Sequence, residues 1–194
     1  MNDRSVQSFR LILASGSPRR RELLTKMGYA FEILVPDVDE NVSGPAREVV
    51  DILSRRKAKA AAAQLSDGII IASDTLVSQD GDVLGKPADE ADAHRMLSEL
   101  SGNAHEVYTG VTLADAADGR RLTRVVCTQV RFRDLTDEEI WAYIRTGEPM
   151  DKAGAYAIQG GARGFVSEFI GSYENVIGFP VDEIEAMLKD FTKE

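Results

Sequence analysis

Phe9-Arg10-Leu11-Ile12-Leu13-Ala14-Ser15-Gly16-Ser17-Pro18-Arg19-Arg20-Arg21 is an apolar run that breaks at a serine-glycine pair and restarts on a proline. The apolar part, Phe9 to Ala14, predicts a short strand. Ser17 can cap a helix, because its hydroxyl accepts a backbone N–H that the first helical turn leaves unpaired. Pro18 suits the first helical position, where its missing N–H costs nothing. The helix then runs through Leu23-Leu24 to Gly28, and Tyr29 to Val35 reads as a second strand. Strand, helix and strand in close succession predict an α/β domain.

The same alternation continues along the chain. Pro36 to Gly44 is an acidic loop, and Pro45 to Leu65 a long helix with an alanine-rich end. Ile69 to Val77 reads as a buried strand, with a turn at Asp80-Gly81. Glu90 to Leu100 is a helix. His105 to Ala114 and Leu122 to Phe132 are strands joined around Asp118-Gly119. Thr136-Asp137-Glu138-Glu139 is a capping box that opens a helix through Ile144. A glycine-rich stretch with short strands, Gly154 to Gly178, precedes a last helix over Asp182 to Phe191. The two neighbouring strands in the middle read as a hairpin, so the sheet is mixed and not purely parallel.

The chain has 194 residues, which suits one domain over residues 1–194, with room for two lobes. Its 43% hydrophobic and 28% charged residues argue against disorder. A net charge of −9 makes it a poor candidate for gripping a nucleic-acid backbone. One cysteine, Cys127, excludes an internal disulfide and a cysteine-rich zinc site. It stands beside Val125 and Val126 and reads as core packing. No apolar run approaches the roughly 20 residues of a membrane span or the roughly 7–15 of a signal-peptide core. The expected location is the cytoplasm.

The candidate chemistry is anionic. Residues 1–26 carry Arg4, Arg10, Arg19, Arg20, Arg21 and Lys26 against Asp3 and Glu22. Arg19 and Arg20 fall in the first helical turn, the wrong end for cations because the dipole is positive there. Either these groups are simply solvated, or an anion binds there. Backbone N–H groups, the Ser15 and Ser17 hydroxyls and the guanidinium groups would then converge on a phosphate. Of Arg55, Arg56, Lys57 and Lys59, helical spacing allows at most one or two to reach a site.

Asp74, in Ser73-Asp74-Thr75, follows a strand that reads as central, where α/β sheets gather ligands. It either caps the strand end or serves as a base or metal ligand. Gly81 to Pro87 is not a phosphate loop, because its glycines are too close and Pro87 stands where a hydroxyl should be. Lys86 can still be a point charge for a phosphate. Asp37, Asp39 and Glu40 are a solvated loop or, in part, magnesium ligands. His94 reads as a surface residue, and two isolated histidines make no zinc site. Trp141, Tyr143 and Phe191 read as core or interface residues.

Several longer motifs occur in order. They are Ala14-Ser15-Gly16-Ser17-Pro18-Arg19-Arg20, Ser73-Asp74-Thr75, Gly85-Lys86-Pro87, Asp151-Lys152-Ala153-Gly154-Ala155-Tyr156-Ala157-Ile158-Gln159-Gly160 and Gly171-Ser172-Tyr173-Glu174-Asn175-Val176-Ile177-Gly178-Phe179-Pro180. Together, over roughly Leu11 to Leu188, they resemble the Maf family of nucleoside triphosphate pyrophosphatases, the septum formation inhibitor Maf-like proteins. The last two runs look like the branch that acts on dTTP and UTP. The sister branch, acting on 7-methyl-GTP, differs at the position of Gln159.

The resemblance implies a mixed-sheet fold akin to inosine triphosphate pyrophosphatases, with two lobes around a cleft, usually as a homodimer. It implies hydrolysis of a nucleoside triphosphate to monophosphate and pyrophosphate with Mg²⁺ or Mn²⁺. Residue by residue, Asp74 matches the family's proton acceptor and Glu40 another polar site position, and these two carboxylates are the candidate metal ligands. Arg19, Thr75 and Gln159 match positions tied to substrate choice. Ser15, Arg20, Lys57, Lys86 and Lys152 match other polar substrate-binding positions. Ser73 departs from the alanine or glycine common there, and Gly160 to Gly164 is a variant glycine-rich turn, but neither removes a charged site residue. The family name also implies a link to arrest of cell division. The alternative reading is therefore a nucleotide-binding regulator of septum formation without significant catalysis.

Overall fold

A computed structural model describes residues 7–193, so Asp3 and Arg4 of the basic N-terminal run lie outside it. The first strand is Leu11–Leu13 (β1), followed by the helix Pro18–Lys26 (α1). The Ser17 hydroxyl caps α1 by accepting the Arg20 N–H at 3.5 Å, with Pro18 at the helix start as expected. The second strand shrinks to Glu32–Ile33 (β2), an exposed edge strand paired only through Ile12 and Leu13 of β1, while Tyr29, Phe31 and Leu34 around it pack on the core.

The long helix is Ala46–Ala62 (α2). Ile69–Gln79 (β3) turns at Asp80-Gly81 into Asp82–Leu84 (β4). Both turn residues have positive φ, 51° and 92°, the conformation that a tight hairpin requires. Glu90–Leu100 (α3), Ala104–Asp115 (β5), Arg121–Phe132 (β6) and Asp137–Ile144 (α4) follow, and the Thr136–Glu139 capping box is present.

The glycine-rich stretch differs from the expectation of several short strands. It holds one strand, Val166–Ile170 (β7), after 3₁₀ turns at Ala153–Ala155 and Gly161–Phe165, and then a short helix, Tyr173–Ile177 (α5). The Ser172 hydroxyl starts α5 by accepting the Asn175 N–H at 3.1 Å. Val181–Phe191 (α6) is the last element.

The strands form one seven-stranded sheet in the order β2-β1-β3-β5-β6-β7, with β4 paired to β3. β2, β1 and β3 run parallel, and β3, β5, β6 and β7 are successive antiparallel neighbours. The sheet is mixed because βαβ crossovers build its first part and hairpins its second.

Alternate residues of the central strands enter separate apolar layers. Ile12, Ala14, Ile70, Ala72 and Ala114 pack against Ala58 and Ala61 of α2. Leu11, Leu13, Ile69, Ile71, Val111 and Leu113 join Leu24, Leu97, Ile144, Met187 and Leu188 from α1, α3, α4 and α6 on the opposite face. Burial on both faces explains why these strands read as continuous apolar runs.

Cys127 is exposed, which corrects its reading as core. On β6 the buried positions are Thr128, Val130 and Phe132, so strand alternation turns Cys127 outward.

α2 lies directly on β5. A Cβ at Gly110 would sit 2.2 Å from the Val50 carbonyl oxygen, a backbone atom that cannot step aside. Gly110→Ala is therefore expected to lift α2 off the sheet and cost about 3 kcal/mol or more, at the upper end of overpacking effects. A urea denaturation curve measures the loss.

Candidate active site

On the side of β3 away from β5, β1 is in register only as far as Ile71, and β4 begins only at Val77. Between them no described strand lies beside β3, and a cleft of about 980 Å³ opens there. Pleating sends adjacent side chains to opposite sides of the sheet. Asp74 turns toward α2, where Lys57 waits. Thr75 turns toward α1 and α5.

The backbone at this gap is satisfied by a side chain. Arg20 Nη1 donates to the Ser73 carbonyl at 2.8 Å and to Ser15 Oγ at 3.3 Å, Nη2 to Thr75 Oγ1 at 3.2 Å, and Nε to the Gly178 carbonyl at 3.0 Å. The Thr109 hydroxyl donates to the Asn175 carbonyl at 3.2 Å, so the 2.9 Å contact between Thr75 and Thr109 has Thr75 as donor. One directed chain thus runs from Arg20 through Thr75 and Thr109 to α5. Burial lowers the Arg20 guanidinium from its ordinary pKa, and the Asp74 and Glu40 carboxylates pull it back up.

On the other side, Lys57 Nζ lies 2.5 Å from Asp74 Oδ1 and 2.8 Å from Glu40 Oε1. The Lys57 and Asp74 side chains are only 13% and 12% exposed, whereas Glu40 is 60% exposed and reaches in from its loop. The Lys57 hydrogen bond holds the Glu40 carboxyl below its ordinary pKa, and the charges of Lys86 and Arg20 add to this. Two carboxylates therefore already converge on one cation.

Among the described residues no three His, Cys, Asp or Glu side chains are grouped to hold a metal. Two carboxylates do not make a closed zinc site. They fit Mg²⁺ or Mn²⁺, which complete their shells with water and phosphate oxygens.

Three further cations line the cleft: Arg19, Lys86 and Lys152. Lys152 pairs with its neighbour Asp151. The Arg19 and Lys86 side chains make no hydrogen bond or ion pair with a described residue. The loops carrying Lys86 and Lys152 are tied by the Gly154 N–H, which donates to the Gly85 carbonyl at 3.0 Å. Consecutive positive φ values at Gly154 (67°) and Ala155 (56°) turn the chain from Lys152 to a buried wall of Tyr156, Ala157 and Ile158. For alanine that conformation is strained, and it is held by the surrounding wall.

Behind the wall, His105 Nε2 and the Tyr156 hydroxyl are 2.8 Å apart, and both residues are buried. Phe132 stands edge-on to both rings. Burial pushes His105 down to about 4 and Tyr156 up from its ordinary value.

The family model for Maf-like proteins matches residues 10–191. The chain belongs to this family. It is 50% identical over 183 residues to the dTTP/UTP pyrophosphatase of Carboxydothermus hydrogenoformans, covering 94% of this chain and 98% of that protein. Identity to the dTTP/UTP pyrophosphatase of Vibrio cholerae is 49% over 186 residues, covering 94% and 98% of the two chains. The relative of that name from Thermococcus gammatolerans is 49% identical over 174 residues, covering 90% and 92%.

In this Maf-like chain the fold brings Arg19, Arg20, Glu40, Lys57, Asp74, Thr75, Lys86 and Lys152 to one cleft. It does not bring Ser15 or Gln159 to the cleft wall. Ser15 is buried behind it, accepting from Arg20 and from the Ser17 N–H at 3.2 Å. Gln159 is exposed, because the chain turns there with the Gly160 N–H on the Ala157 carbonyl.

Arg55 and Arg56 are spent elsewhere, on Asp51 and on the Asp39 carbonyl, so Lys57 alone of that cluster lines the cleft. His94 is half-buried, stacked on Trp141 and paired with Asp137. The sequence reading missed the apolar wall, including Tyr156, Ile158, Val176 and Ile177. Its signals are the apolar residues within two glycine-bounded runs, Gly154 to Gly160 and Gly171 to Gly178.

Two outcomes follow from these contacts. Arg20→Lys cannot supply four bonds in the guanidinium plane and leaves the Ser73 carbonyl unsatisfied. A loss of about 2 kcal/mol in urea unfolding is expected. The unfolded chain takes up a proton at His105 near its ordinary 6.5, whereas the folded chain does so only near 4. Stability from this group is intact above the upper value and drains as pH falls toward the lower. Between about pH 7 and pH 4 the stability of the wild type relative to His105→Gln should fall by about 3 kcal/mol.

Proposed function

We propose that this chain hydrolyses dTTP and UTP to the monophosphate and pyrophosphate. The observation that carries the reading is a buried mid-strand carboxylate, Asp74, in a cleft that also holds Arg19, Arg20, Lys57, Lys86 and Lys152 and has an apolar wall. A binding-only protein would gain nothing from an anion beside the phosphates. The choice of dTTP and UTP comes from the names of relatives about half identical over nearly the whole chain. The cleft volume, about 980 Å³, suits a nucleotide.

The division of labour follows from charge and geometry. Arg19, Lys86 and Lys152 meet the triphosphate and the charge that builds on the departing pyrophosphate. The wall of Tyr156, Ala157 and Ile158 receives the base. Lys57 holds Asp74 Oδ1 in the free enzyme and leaves Oδ2 for a water. Asp74 takes that water's proton as its oxygen bonds to the α-phosphorus. The bond from the α-phosphorus to the bridging oxygen breaks, and pyrophosphate carries away the electron pair. Glu40 and Asp74 would hold Mg²⁺ or Mn²⁺, and when bound the metal supplies charge neutralisation at the phosphates. Arg20 keeps Thr75 and the β3 backbone in place. Gln159, exposed at a turn, is given no part in reading the base.

Pyrophosphate release from dTTP, UTP, CTP, dGTP, 7-methyl-GTP and ITP, with and without Mg²⁺ or Mn²⁺, tests the proposal. The expected result is metal-dependent release chiefly from dTTP and UTP. Release mainly from a purine would overturn the substrate choice, and silence with nucleotide bound would overturn catalysis. Asp74→Asn should lower kcat about 10²–10⁴-fold with a near-normal KM. Full turnover would remove Asp74 from the base role.

A further inference from the structure

We propose that the Lys57 ammonium is a placeholder for the divalent metal. It sits between Glu40 and Asp74 in the free enzyme and gives way only when a nucleotide arrives to receive it. The inference rests on the function proposed above and adds an order to it: the metal enters with the nucleotide and not before.

The geometry is that of an occupied cation position. Nζ is within hydrogen-bond reach of both carboxylates, at 2.5 and 2.8 Å. Asp74 is fixed in the middle of a paired strand, opposite Gly110 of β5. Lys57 is fixed on α2, which the Gly110 contact presses against that same strand pair. Glu40 is the adaptable member, on a loop without regular structure that is also held by Arg56 Nη1 on the Asp39 carbonyl at 2.9 Å. The ammonium therefore draws the loop's carboxylate to the strand's carboxylate.

Charge decides what can replace it. Two carboxylates and one ammonium leave a single negative charge. A divalent ion entering beside the ammonium would place like charges a few ångströms apart in a half-buried site, which is strongly unfavourable. The ammonium must then leave, and the other charged groups along the cleft are Arg19, Arg20, Lys86, Lys152, Asp82 and Asp151. Asp151 is paired with Lys152, and Asp82 lies at the exposed hairpin.

Without a nucleotide the displaced ammonium has poor alternatives. A triphosphate changes this by offering anionic oxygens to Lys57 and to the metal at once. Metal and nucleotide then favour each other's binding, and the coupling is reciprocal.

The test is Mn²⁺ binding without nucleotide, read from the loss of the free Mn²⁺ electron paramagnetic resonance signal. The wild type is compared with Lys57→Met, which keeps the chain length and removes the charge. The variant is expected to bind one Mn²⁺ at least about tenfold more tightly, the lower bound for loss of a close charge interaction. The double variant Lys57→Met, Glu40→Gln should lose that gain. Equal affinity in wild type and Lys57→Met, or a gain that survives Glu40→Gln, overturns the proposal.

A measurement on the wild type needs no folded variant. Thermal stabilisation by Mn²⁺ plus an α,β-methylene analogue of dTTP should exceed the sum of the two separate shifts. Additive shifts overturn the proposal. Equal Mn²⁺ affinities with pyrophosphate release intact would sink only the exchange, whereas absent release would sink the proposed function.

Discussion

The constraint on which the rest depends is a missing neighbour. β3 is paired without a break to β5 from Ile69 to Ser78, yet on its other side no described strand lies beside it between Ile71 and Val77. Bare backbone inside a fold must find other partners. Arg20 supplies one, reaching across from the first turn of α1 to the Ser73 carbonyl. The same guanidinium holds Ser15, Thr75 and Gly178, so the three segments around the gap are fixed by one side chain. An arginine in the first turn of a helix is unfavourable by the dipole argument alone. Here its partners are four oxygens on other segments, and the geometry offsets the dipole.

The gap also explains how two adjacent residues serve two different walls. Asp74 and Thr75 point to opposite sides of the sheet because strands alternate. Elsewhere in β3 those directions lead into two separate apolar layers, one under α2 and one under the remaining helices. At the gap the layers are open to one cleft, and the alternation delivers a carboxylate from one side and a hydroxyl from the other.

The cations divide by how they are bound. Arg20 and Lys57 are engaged by protein oxygens and act on the scaffold of the free enzyme. The Arg19 and Lys86 side chains have no such partners among the described residues and remain available to an anion. In a chain of net charge −9 this is a local reversal of sign. Five cations line the cleft with Glu40, Asp74, Asp82 and Asp151, and Arg19 and Lys86 are the ones that an anionic ligand meets without displacing an ion pair or hydrogen bond to a described residue. Counting basic residues along the sequence cannot separate the two groups, because the partners of Arg20 come from as far away as Gly178.

By itself the sequence determined the elements and much of the chemistry. Ser17-Pro18, Asp80-Gly81 and the Thr136–Glu139 box act within a few residues, so their structures follow from local hydrogen bonding and allowed φ. The apolar runs announced strands buried on both faces, and the ordered motifs announced the family. Only the tertiary structure decided where Asp74 stands, in mid-strand at a gap, because strand partners are set by long-range pairing. It turned Cys127 outward through the phase of β6, and left Gln159 on the surface because the chain bends at Gly160. It also chose Lys57 from four basic neighbours, since only that position on α2 faces Asp74 across the contact at Gly110. Which side chain meets which depends on packing between segments far apart in the chain, and that information is held by no single stretch of residues.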